Sequence, residues 1–181
     1  MRFEFVAGHV VLDYVATVAE RTTTRLERLS TPEDLADWLV KARVVDTPPT
    51  AGEADLLAAR QLRESLYTLV VSLTGGSALT PAVRETLTRF AAHDGPRLSI
   101  DAHGNVHRTG TVTQALALLA QEGLLLARDE QHDSIRWCAA PTCTRPFLDR
   151  SHARRRRWCG MSTCGDKAKA AAYRARRANG A

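Results

Sequence analysis

Apolar residues recur at helical spacing through most of the first 130 residues of this 181-residue chain. In "GHVVLDYVATVAER", Val11, Tyr14, Val15 and Val18 share one helical face. In "STPEDLADWLVKAR", Thr31 is placed to cap a helix, Pro32 takes its first position and Asp34 completes a box-like pattern. Leu35, Trp38, Leu39 and Ala42 then form one apolar stripe. The chain breaks at Pro48-Pro49, after which Thr50 and Glu53 offer a second capping box. The long helix that follows is expected to stop at Gly75 and to bury Leu57 or Ala58, Leu62, Leu66, Leu69, Val70 and Leu73. Thr80-Pro81 opens a further helix with Val83, Leu87, Phe90 and Ala91 inward.

The period changes in "RLSIDAHGNVHRTG", where Leu98 and Ile100 alternate with polar residues and Gly104-Asn105 marks a turn. A small β-hairpin is expected there. Thr111 and Gln114 cap a last helix over "TVTQALALLAQEGLLLARD", with Gly123 as its weak point. The pattern predicts a mainly α protein. Residues 1–130 form a helical domain with one small hairpin. Residues 131–181 form a separate module of short strands, knuckles and one helix.

Four cysteines define that second module. Cys138 and Cys143, then Cys159 and Cys164, form two pairs with four residues inside each and fifteen between them. Two short-spaced pairs let two local turns each present two thiolates, which suits one tetrahedral zinc ion. Two disulfides would need an oxidising compartment, for which nothing in the sequence argues. Four thiolates leave no coordination position open, so the expected zinc is structural and folds a segment poor in core. Trp137, Phe147 and Trp158 could supply a miniature core, with "IRW" and "RRW" each running as a strand into a cysteine.

Charge follows the same boundary. The net +5 divides into eleven Lys and Arg against two acids from Cys138 onward, and fourteen against eighteen before it. This asymmetry suggests a polyanionic partner, with Arg154, Arg155, Arg156 and Arg157 expected to bind its phosphates, although some of them could simply neutralise a four-thiolate zinc centre. After Cys164, Ala168, Ala171, Ala172 and Ala175 share a face that is expected to pack on the knuckle. The opposite face carries Lys167, Lys169, Tyr173, Arg174, Arg176 and Arg177. Five cations and one aromatic suit a groove lined with phosphates, and an alanine face has too little apolar area to insert into a membrane.

"CAAPTCTRPFLDRS" from Cys138 and "RRWCGMSTCGDKAKAAAYRAR" from Arg156 resemble the CGNR-type zinc-finger proteins of bacteria. "GHVVLDYVAT", "STPEDLADWL" and "ARQLRESLYTLV" are similar to the N-terminal pattern of the same proteins. The resemblance implies an N-terminal helical ABATE domain, a C-terminal four-cysteine finger and a role in stress-induced transcription regulation. The chain departs from the pattern twice. Asp166-Lys167 stands where the family has Asn-Arg, and Ala16 stands where an Asn precedes Thr17. Lysine keeps the charge of arginine but loses the planar fork that grips a phosphate or a guanine edge.

The resemblance also points to Asp13, Thr17 and Arg63, polar residues on otherwise apolar helices. They suggest either a small-ligand pocket or an Asp13–Arg63 ion pair that fastens the first helix to the long one. No Ser/His/Asp or Cys/His arrangement stands out, so no enzyme is expected. There is no run of about 18 apolar residues and no secretory leader pattern, so a cytoplasmic protein is expected. The combined expectation is a zinc-dependent regulator that binds duplex DNA and responds to a small-molecule effector, with homodimerisation adding specificity. RNA binding, protein–protein scaffolding, and a ligand-binding protein or enzyme with a purely structural finger remain open.

Overall fold

The computed structural model describes residues 3–179, apart from the side chains of Gln131, Ala175, Ala178 and Asn179. Among these residues it is mainly α, with six helices and three two-stranded antiparallel sheets. α1 (Val10–Val15) is shorter than its apolar spacing predicts. The Thr17 hydroxyl folds back to the Tyr14 carbonyl, and Val18 lies in β1 (Val18–Ala19), paired with β2 (Leu26–Glu27).

Capping chemistry sets the later helix starts. α2 (Pro32–Lys41) begins at Thr31, whose hydroxyl accepts the Asp34 N–H while the Asp34 carboxylate accepts the Thr31 N–H. Two donors that a helix start would leave orphaned are thereby satisfied. α3 (Glu53–Gly75) starts differently from the expected Thr50–Glu53 box: Gly52 is its cap, and Asp55 accepts the Gly52 N–H. It ends at Gly75 as expected, and Gly76 caps it. At φ +71° this residue adopts the left-handed geometry that glycine takes without steric penalty, and its N–H returns to the Ser72 carbonyl. α4 (Pro81–Ala91) is capped by Thr80 as predicted.

β3 (Arg97–Ile100) and β4 (Val106–Thr109) form the expected hairpin, with Ile100 opposite Val106. Leu98, Ile100 and Val106 are all exposed, so the hairpin stands off the core. Reciprocal backbone and carboxylate bonds between Asp46 and Arg108 tether it. α5 (Val112–Arg128) opens on the predicted Thr111–Gln114 box.

The helices close around Tyr14, Trp38, Leu39, Leu62, Leu66, Leu116 and Leu119. Of the two alternatives, Leu57 faces solvent and Ala58 packs half-buried against the core, next to the fully buried Leu56. Past α5, β5 (Ile135–Trp137) pairs with β6 (Pro146–Leu148), and a wide π turn, Met161–Gly165, leads into α6 (Asp166–Asn179). "RRW" forms no strand; the Arg157 carbonyl accepts the Ala139 N–H instead. Phe147 is fully buried, and Trp137 and Trp158 pack beside it. This small core is continuous with Leu12 of α1, Val70 of α3 and Leu126 of α5. Among the described residues no helix is long and apolar enough to cross a membrane.

Gly123 is a packing contact rather than a weak point. A Cβ at this position would collide with the Cδ2 of Leu66, which is itself fully buried. Gly123→Ala gains about 1 kcal/mol of helix propensity but overpacks a closed core at a penalty of about 1–3 kcal/mol. The variant should unfold at a lower urea midpoint with an unchanged m-value. A raised midpoint would show that Leu66 can move aside.

Candidate metal centre and nucleic-acid interface

Two tight turns deliver the four thiols. The Cys143 N–H returns to the Ala140 carbonyl, and the Cys164 N–H returns to the Gly160 carbonyl. All four Sγ atoms lie within 4.8 Å of one another. Cys143 and Cys159 are 3.9 Å apart, and Cys159 and Cys164 are 3.7 Å apart. A tetrahedron with Zn–S bonds of about 2.3 Å has S–S edges of about 3.8 Å, whereas a disulfide needs about 2.05 Å. The four cysteines are free, and their spacing fits one zinc ion.

Protons are shared unevenly among thiols this close. The hydrogen bond shared with Cys143 draws Cys159 down to about 5, and the same contact pushes Cys143 far up. Burial raises Cys164 to about 11. A divalent cation bound by all four replaces those shared protons. The surroundings are supportive. The Cys159 N–H lies 3.4 Å from the Cys138 Sγ, and the Thr163 hydroxyl lies 3.7 Å from the Cys159 Sγ. Arg145, only 8% exposed, pairs with Glu4 at 2.6 Å and reaches to 4.0 Å from the Cys159 Sγ. Sequence reading missed Arg145 and Glu4, because 140 residues separate them and no local pattern joins them.

The basic run divides. Arg154, Arg155 and Arg157 are exposed, with the Arg157 guanidinium 5.1 Å from the Trp158 ring centre. Arg156 departs from its expected phosphate-binding role. Its guanidinium donates to the carbonyls of Trp158 (2.8 Å), Val6 (3.0 Å) and Cys159, and it stacks over Phe147. Those contacts hold the finger against the body. On α6, Lys167, Lys169, Arg174, Arg176 and Arg177 are all exposed, and Arg177 lies over the ring of Tyr173. The predicted alanine packing face is covered only at its root. Ala168 is half-buried, Ala171 and Ala172 are exposed, and the side chain of Ala175 lies outside the described residues.

Asp13 and Arg63 do not pair. Arg63 grips Glu27 with two nitrogens, at 2.6 and 2.7 Å, and also reaches Glu64 and the Thr17 hydroxyl. Glu27 sits on β2, which the sequence reading had not recognised as a strand, so this partner was missed. One oxygen of Asp13 accepts the N–H groups of Val6 and Ala7, each at 3.0 Å. Asp13 borders an open hollow with His9, Lys41 and Arg43, away from Thr17 and Arg63. A more enclosed cleft of about 360 Å³ lies between the body and the finger, lined by Ala16, Val18, Arg28, Cys143, Lys167 and Ala171 among others. Two of the three positions that depart from the family pattern, Ala16 and Lys167, are in its walls. Thr17 and Arg63 instead brace the β1–β2 wall of this cleft through Glu27.

Two outcomes follow. Metal analysis should give one zinc per chain, and Cys159→Ser, which removes the sulfur shared by both short edges, should lose it. Burial raises the Asp13 carboxyl to about 6, against the pull of its two backbone donors and of Arg145. Its folded value therefore exceeds its unfolded one. The stability its neutral form contributes is complete below about pH 4 and is lost as pH rises through about 6. Asp13→Asn keeps an oxygen for Val6 and Ala7 and does not ionise. At matched zinc loading, the stability of the variant relative to wild type should rise by about 2 kcal/mol between pH 4 and 7. A difference that stays flat across that range would refute the assignment.

Residues 8–130 match the ABATE family, described as "Putative stress-induced transcription regulator", and residues 134–177 match the CGNR zinc finger. No curated protein matches the chain. With 123 of its residues covered by the first match, the chain belongs to the ABATE family and carries a CGNR zinc finger at its C-terminal end.

Proposed function

We propose that this protein is a cytoplasmic DNA-binding transcription regulator in which zinc fixes the root of α6 and α6 makes the contact with the duplex. The observation that carries this reading is the exposure of α6: of its described side chains, all but that of Ala168 are exposed. The major groove, about 12 Å wide, admits one α-helix. Alanines on the inner face let such a helix approach closely, while Lys167, Lys169, Arg174, Arg176 and Arg177 reach phosphates on either side. Arg154, Arg155 and Arg157, exposed before the second cysteine pair, would add phosphate contacts. A single short finger reads few base pairs, so a second copy on an adjoining half-site would supply specificity. The cleft between body and finger is the place for a small-molecule effector in this scheme, because its walls include the first turns of α6.

The family descriptions favour regulation over catalysis. Recognition of unpaired RNA bases is favoured less, because Arg157 and Arg177 already stack on the two aromatics that would serve it, Trp158 and Tyr173.

The test is fluorescence anisotropy of zinc-loaded protein on labelled duplex DNA. With roughly six phosphate contacts, affinity should fall by about 10³-fold between 50 and 200 mM salt. The double variant Arg174→Gln, Arg176→Gln should bind more weakly with a shallower salt slope. Arg156→Gln should lower the melting temperature and leave the slope unchanged. Salt-independent binding, or preference for structured RNA in direct competition, would overturn the reading.

A further inference from the structure

We infer that Arg145 is part of the metal centre: it donates an N–H···S bond to the zinc-bound thiolate of Cys159 and is held in place by Glu4. The N-terminal segment of the chain thereby helps to set the charge and reactivity of a site more than a hundred residues away in sequence.

An arginine side chain with only 8% of its surface exposed is unfavourable unless its charge and its donors are matched. Glu4 takes one terminal nitrogen at 2.6 Å. The other points towards the Cys159 Sγ at 4.0 Å. Zinc held by four thiolates carries a formal charge of −2, so a bond from this nitrogen is charge-assisted, and metal binding strengthens the interaction. The planar fork matters here. Its separate nitrogens serve the Glu4 carboxylate and the sulfur together, which a lysine ammonium at the end of a flexible stem cannot do in the same fixed geometry. Arg156, the other arginine in the seam, donates to carbonyl oxygens and makes no comparable contact with a sulfur among the described interactions. Arg145 is therefore a positioning residue for the thiolate, as Glu4 is for Arg145. Outer-sphere partners of this kind fix ligand orientation and tune the metal.

The chemical consequence is a less nucleophilic thiolate. In alkylation by iodoacetamide the sulfur lone pair forms an S–C bond as the C–I bond breaks and iodide leaves. An N–H···S bond withdraws density from that lone pair and slows the step. The experiment uses full-length, zinc-loaded protein without nucleic acid, so it is independent of the proposed regulator function. Arg145→Lys keeps the ion pair with Glu4 and gives up the fork. The double variant Glu4→Gln, Arg145→Met removes both charges, so no lone buried charge remains. Arg136→Met, a change on an exposed arginine of β5, serves as the control.

Both test variants, and not the control, should be alkylated faster than wild type. In the cobalt-substituted proteins the thiolate charge-transfer band should move to lower energy. Chelator competition should show zinc affinity reduced on the order of tenfold. Loss of zinc from the double variant with the helical circular-dichroism signal retained also supports the assignment. If the double variant does not fold, Arg145→Lys decides. An alkylation rate and a cobalt spectrum equal to wild type in Arg145→Lys would overturn it.

Discussion

The N–H groups of Val6 and Ala7 both end on one oxygen of Asp13, while their carbonyls both end on the finger, Ala7 accepting the Leu148 N–H at 2.8 Å and Val6 accepting Arg156. This short segment is bonded on one side to α1 and on the other to β6 and the second knuckle. Backbone groups at such depth must be paired somewhere. Neither half could satisfy this segment alone, because its donors and acceptors face different halves. The shared small core reinforces the seam, with Leu12, Val70 and Leu126 packing in the same cluster as Phe147, Cys138 and Cys159. Body and finger, distinct as sequence families, thus meet through a hydrogen-bonded and apolar contact rather than a linker.

The seam redistributes charge. From composition alone, the last quarter of the chain is a basic surface. In the fold, Arg145 and Arg156 are turned inward, one towards a carboxylate and a sulfur, the other towards three carbonyls and a ring. Arginine suits both places because a planar, weakly hydrated cation with several donors can be desolvated at lower cost than an ammonium. The cations left at the surface are those behind the first knuckle and those along α6. A like division operates in the body. Arg63 is buried against Glu27 and Glu64, and Arg21 continues that network by bonding Glu64 and lying over the Tyr67 ring, which in turn meets Trp137 beside the first knuckle.

The features legible in the sequence are those decided over a few residues. The Thr31–Asp34 and Thr111–Gln114 boxes, the turn at Gly104 and the two cysteine pairs each need only a local spacing, and each is present. Partner choice over long distances was not legible. The sequence allows an Asp13–Arg63 pair, since both residues sit on apparent helices, yet α1 ends at Val15, and the two-residue strands that follow bring Glu27 to Arg63 instead. Asp13 is then free for the backbone of residues 6 and 7. Periodicity has a related limit. It shows that α6 has an alanine face, but not whether anything covers that face. Gly123 shows the converse: helix propensity marks glycine as a defect, and only the position of Leu66 explains why its missing side chain is needed.

That uncovered face bears on what the zinc does. A helix of 14 residues is near the lower limit for standing alone in water, and nucleation is the expensive step. Alanine and arginine propagate a helix well once it has started. Here the start is made by the metal site. Cys164 is at once a zinc ligand and part of the π turn, where its own N–H and that of Gly165 both return to the Gly160 carbonyl. A zinc ion bound there would hold the first turn closed, and sequence propensity carries the rest outward. The orientation of α6 is then fixed only at its root, where Lys167, Ala168 and Ala171 also wall the cleft against β1.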